Sequence, residues 1–101
     1  MNQHYFFIAS DLSPYLPKVL EENNIRSKHA SSLFLETSAG QLNYCFSYNM
    51  TMVTQCETIY KLCLQVKCPV IILKEDYSQD EIKNKILSFI ANSKQLKNST
   101  A

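Results

Sequence analysis

Apolar and polar positions along this chain follow two rhythms. Residues 4–10, "HYFFIAS", are almost wholly apolar and rich in strand-favouring residues, which predicts a strand buried on both faces. Residues 68–75, "CPVIILKE", predict a second strand of the same kind. The stretch "QLNYCFSYN", 41–49, alternates without a fault. Leu42, Tyr44, Phe46 and Tyr48 fall on one side of an extended chain, and Gln41, Asn43, Cys45 and Ser47 on the other. With "LFLET" (33–37) before it and "SAG" (38–40) between, it predicts the return arm of a hairpin. Gly40 then occupies a turn position that needs a positive φ.

Helical spacing marks three other segments. Between residues 11 and 25, Ser13 can cap a helix with Pro14 at its first position, or the helix starts at Pro17. Leu16, Val19 and Leu20 form its inward stripe, and Asn23-Asn24 is a left-handed stop. Residues 25–32, "IRSKHASS", are polar and read as a loop. Asn49 can cap a helix running to about Lys67, with Met52, Cys56, Ile59, Cys63 and Val66 inward. Thr54-Gln55-Cys56-Glu57 has the capping-box pattern, which offers a later start for that helix. Ser78-Gln79-Asp80-Glu81 is a second capping box and opens a last helix with Ile82, Ile86, Phe89 and Ile90 inward.

The resulting order, β-α-β-β-α-β-α, resembles over residues 4–75 the ferredoxin-like βαββαβ two-layer sandwich, an α+β fold, with an additional C-terminal helix. In that arrangement the first and third strands are central, and the aromatic side of residues 41–48 packs beneath two helices. The alternative is a three-layer α/β domain with a mixed four-stranded sheet, which accounts more simply for strands apolar on both faces. Either way, the 101 residues suit a single domain over 1–97, with 98–101 as a frayed tail. The resemblance is one of element order and implies no function.

Composition narrows the function classes. A formal net charge of +1 argues against a protein built to ride on nucleic-acid phosphates or an anionic membrane. No apolar run approaches the ~20 residues of a membrane span, and the N-terminus lacks a basic leader, so a cytoplasmic location with reduced cysteines is expected. The sequons at Asn49 and Asn98 are then chance matches. The frequent Asn, Lys, Ile and Tyr fit an AT-rich coding sequence, such as that of a low-GC bacterium or a mobile element. One glycine in the whole chain speaks against a phosphate-cradling loop.

Little assembled chemistry can be read from the residues. Cys63 and Cys68 lie near a metal-ligand spacing, but no second pair completes a site, and neither metal nor cofactor is implied. His29 reads as solvated in a loop and His4 as sitting at a strand rim. If the fold is α/β, Asp11, Lys74 and Asp76 gather at the carboxyl ends of parallel strands, where a small enzyme or nucleotide sensor would hold its ligand. A nucleic-acid binder would use Arg26 and Lys28 with Lys83 and Lys94 of the basic last helix. RNA-recognition domains stack bases on aromatics of their first and third strands, but the glycine and basic residues of that motif are missing here. The favoured expectation is a non-enzymatic protein-interaction module, a regulator, inhibitor or adaptor. It would bind a protein partner or a second copy through exposed anchors, Tyr15 and Tyr77, or through a sheet edge.

Overall fold

A computed structural model describes the backbone of residues 4–100 and the side chains of residues 4–92. Strands and helices alternate: β1 (Tyr5–Ile8), α1 (Leu16–Glu21), β2 (Arg26–His29), a 3-10 turn (Ala30–Leu33), α2 (Ser38–Ser47), β3 (Thr51–Thr54), α3 (Glu57–Gln65), β4 (Val70–Ile72) and α4 (Gln79–Thr100). The four strands form one sheet in the order β2-β1-β3-β4, and every pairing is parallel. Parallel neighbours cannot be joined by a tight turn, so each connection crosses a sheet face, here with a helix.

β1 and β3 are the inner strands, and side chains of alternate parity serve opposite layers. Phe6, Ile8 and Val53 point into one core, closed by Leu16 and Leu20 of α1 and by Ile82 and Ile86 of α4. Phe7, Ala9 and Met52 point into the other, closed by Cys45 of α2 and by Ile59 and Cys63 of α3. Phe6, Phe7, Ile8 and Ala9 are all fully buried, as the continuous apolar run predicts. Burying one phenylalanine contributes about 2–3 kcal/mol, so β1 anchors both layers.

The ferredoxin-like arrangement is therefore corrected. That fold needs an antiparallel sheet covered on one face, whereas this sheet is all parallel and covered on both. The alternative's three layers match, but its mixed sheet does not. The error lies in three segments. Residues 41–48 are not a strand: 41–47 belong to α2 and Tyr48 caps its end. Thr37 starts that helix, its hydroxyl accepting from Gly40 N–H at 3.0 Å. The helix buries Gln41 and Cys45, one turn apart, and leaves Phe46 and Tyr48 exposed. Over one turn, alternation and helical spacing can be read from the same residues. Residues 33–37 are likewise not a strand, since Phe34 turns left-handed and ends the 3-10 turn. Conversely, the polar residues 26–29 do form a strand. β2 is an edge strand, where Arg26 and Lys28 stand exposed and His29 turns inward. β3 takes the first turns assigned to a helix from Asn49, and α3 begins at Glu57, at the later start the capping pattern offers.

One device ends the elements before β2, α2, β3 and β4. Asn24, Phe34, Asn49 and Lys67 have φ of 61°, 57°, 55° and 60°. After each, the next N–H closes onto a carbonyl five residues back: Ile25 to Leu20, Leu35 to Ala30, Met50 to Cys45 and Cys68 to Cys63, at 2.9–3.1 Å. This is the Schellman pattern, with an apolar contact sealing it. Asn24 was legible as a left-handed stop. Gly40 takes no part, because its φ is not positive and it lies in the first turn of α2. A Cβ there would sit 3.0 Å from the capping Thr37 Oγ1. Ser78 caps α4 as expected, its Oγ accepting from Glu81 N–H at 3.2 Å while Ser78 N–H donates to Glu81 Oε1 at 3.1 Å.

Two outcomes are expected. Lys67→Gly relieves a left-handed side chain and raises stability by about 0.5–1 kcal/mol in urea titration, whereas Asn49→Gly changes it less. Burial and the neighbouring Cys68 push the Cys63 thiol from 9.0 up to about 12. The unfolded chain then loses this proton first, so stability is full below pH 9 and falls as the pH climbs towards 12. Cys63→Ala flattens that alkaline decline.

Candidate functional site

In an open parallel sheet, ligands collect at the carboxyl ends of the strands, where the chain reverses its direction of travel across the sheet. Here β1 leads outward to β2, and the chain then returns past it to β3 and β4, so the reversal lies between β1 and β3. Asp11, just beyond β1, faces Thr54 and Gln55 at the end of β3. Thr54 Oγ1 lies 3.1 and 3.2 Å from the two carboxylate oxygens, and Gln55 N–H donates to Oδ2 at 2.6 Å. Thr54 Oγ1 also accepts from Cys56 N–H at 3.0 Å, at the entry to α3. The carboxylate thus stands where an anionic ligand would meet the helix N-terminus.

A second tie holds the chain after β1 to α2. Gln41, in the first turn of α2, is 1 % exposed. Its Oε1 accepts from Ser10 N–H at 3.2 Å and its Nε2 donates to Ser10 Oγ at 2.9 Å. A third tie joins β3 to β4: Gln55 Nε2 donates to the Lys74 carbonyl at 3.2 Å. Asp11, Gln41 and Gln55 are each answered by another group of this chain. These ties hold the loops together, and beyond β2 the Ser31 Oγ lies 2.8 Å from His29 Nδ1.

Asp11 and Lys74 are thus brought to one rim, but through Gln55 and the Lys74 carbonyl rather than through the Lys74 ammonium. Lys74 and Asp76 are exposed beside an open hollow of about 700 Å³, lined also by Gln55, Glu57, Ile72 and Lys85. Its acidic and basic side chains are mixed and select no one ligand charge. The basic positions lie on two elements. Arg26 and Lys28 lie on the β2 edge, where the Arg26 guanidinium sits 4.6 Å from the Tyr5 ring centroid. Lys83 lies 3.8 Å from Asp80 within α4, and the Lys94 side chain lies outside the described residues. His29 is buried, not solvated. Its Nδ1 accepts from Ser31 N–H at 3.0 Å, which places the ring hydrogen on Nε2, 2.8 Å from the Leu12 carbonyl. His4 stands at the rim, against Phe6 and Phe89.

The large side chains at this end are more telling. Tyr15 is 74 % exposed, as expected of an anchor. Tyr77 is not exposed: it packs on the α1–α4 core, with Lys85 Nζ 6.0 Å from its ring centroid. Phe34 is 90 % exposed. Sequence reasoning missed it because "LFLET" imitates a strand, and no local pattern distinguishes a phenylalanine that leaves the core. Phe34 and Tyr15 stand on the connections leaving β2 and β1, and the His29–Leu12 hydrogen bond ties those connections together.

Among the described residues, no group of three or more His, Cys, Asp or Glu side chains is placed to hold a metal, and no helix is long and apolar enough to cross a membrane. Compared with known proteins, the chain matches no family model, and no curated protein or solved structure matches it.

Asp11→Ala removes the acceptor shared by Thr54 and Gln55 and is expected to lower stability by about 1–2 kcal/mol, read as an earlier urea midpoint. Loss of a ligand response without loss of stability would assign Asp11 to binding instead.

Proposed function

We propose that this chain is a non-enzymatic protein-interaction module, acting as a regulator, inhibitor or adaptor through surface complementarity at the carboxyl rim of its sheet. Phe34 is the observation that carries the reading. Its backbone is left-handed, a conformation that costs a side chain about 1 kcal/mol and that glycine adopts freely. Its ring is 90 % exposed, so it gains almost nothing from burial. Stability alone would place glycine or asparagine there, and asparagine does stand at two of the four left-handed positions. A backbone outlier that stability does not explain points to use. A bare aromatic ring on a fixed backbone is a suitable contact anchor, because little side-chain freedom is lost on docking.

Tyr15 is the second anchor, on the adjoining connection. The closed crevice supports the same reading from the other side. With Asp11 and Gln41 bonded within the chain, the exposed Phe34 and Tyr15 supply apolar area at the rim. The nucleic-acid alternative is weakened by the ion pair of Lys83 with Asp80 within α4 and by the mixed charges around the strand-end hollow.

The test uses one substitution with opposite effects on fold and function. Phe34→Gly is expected to raise stability by about 1 kcal/mol and to abolish capture of the partner, or of a second copy, by the immobilised chain. Light scattering distinguishes self-association from capture of another protein. Unchanged association by Phe34→Gly and Tyr15→Ser would remove this reading.

A further inference from the structure

Three sulfurs meet in the core beneath α2 and α3. Cys45 lies in the last turn of α2, Cys63 in the last turn of α3, and Cys68 just before β4; none is more than 3 % exposed. The left-handed helix ends bring them together. Cys45 and Cys63 give their carbonyls to the closing N–H groups of Met50 and Cys68, both at 2.9 Å. The Cys45 thiol donates to the Met50 carbonyl at 3.3 Å, and Cys68 Sγ lies 3.8 Å from the same oxygen. The two sulfurs are 3.7 Å apart, in van der Waals contact.

We propose that Cys45 and Cys68 are a dithiol–disulfide pair, a modification site closed by a peroxide. A disulfide bond is about 2.05 Å long, so the sulfurs need approach by less than about 2 Å. The sulfur of Cys68, the less completely buried residue of the two, takes an oxygen from the peroxide. The O–O bond breaks, a sulfenic acid forms and one water leaves. The Cys45 sulfur then attacks the Cys68 sulfur and the S–O bond breaks. The departing hydroxyl leaves as a second water with the Cys45 proton. In sum, two thiols lose two electrons and two protons, and one peroxide becomes two waters. The new bond ties the end of α2 to the start of β4 across the intervening β3 and α3. Burial and the neighbouring thiols push the Cys45 thiol well above its ordinary range, so its attack on the Cys68 sulfur quickens as the pH rises.

The test starts from the full chain carrying Cys56→Ser, which removes the one cysteine that is not buried. The folded protein is treated with hydrogen peroxide, digested with trypsin without reductant and analysed by mass spectrometry. The expected product links peptide 29–61, through Cys45, to peptide 68–74, through Cys68. It forms faster at alkaline than at neutral pH. It raises the melting temperature by roughly 10 °C, and reductant reverses the rise. Adding Cys63→Ala leaves the link intact, whereas Cys45→Ala abolishes it. A link through Cys63, a link only between chains, or a link that forms only in denaturant would overturn the proposal.

Discussion

Complete burial of β1 on both faces governs the rest of the molecule. Phe6 and Ile8 face one way, Phe7 and Ala9 the other, and none is accessible to water. A strand with that pattern cannot lie in a sheet with an open face, because leaving either pair wet forfeits several kcal/mol. Two helical layers are the consequence. Covering both faces with a chain this short requires a helix after nearly every strand, and that alternation makes the strands parallel. The sheet order, the crossings and the reversal between β1 and β3 all descend from this one requirement.

Much of that was legible in the residues, and the failures are physically specific. β1, β4 and the capped start of α4 could be read because their signals are local: a continuous apolar run, or a hydroxyl and a carboxylate three residues apart. β2 was hidden because an edge strand is half wet, and its Arg, Ser, Lys and His resemble a loop. α2 was mistaken for a strand because its buried pair, Gln41 and Cys45, is polar and small, while Phe46 lies exposed and Tyr44 is only half-buried. A reading that sends large apolar residues inward must fail on that helix. The same reversal hid Phe34. At the site, Asp11 and Lys74 were placed correctly at the strand ends once the sheet is parallel. Thr54 and Gln55, the partners of Asp11, and Gln41, the partner of Ser10, were not, since contacts 31 to 44 residues apart leave no trace in local pattern.

The chain's scarcity of glycine and the character of its site belong together. Ends that other proteins finish with glycine are finished here with Asn, Phe and Lys, and the crevice that others line with glycine-rich backbone is filled here with side chains. A filled crevice holds its loops in fixed positions. Fixed loops are what an aromatic anchor needs if its ring is to meet a partner without reorganisation. The left-handed helix ends act on the interior as well, since the same turn that starts β3 and β4 delivers Cys45 and Cys68 to each other.

The register of the central strands bears on how the polypeptide acquires its shape. Phe6 of β1 lies opposite Thr51 of β3, so the pairing at the heart of the sheet joins segments far apart along the backbone. Closing so large a loop precedes any reward from the contacts it enables, and such pairings form slowly. Until β3 arrives, the oily run from Tyr5 to Ile8 has only the polar β2 for a neighbour. That interval, rather than the finished state, is when the molecule is most exposed to clumping with its own copies.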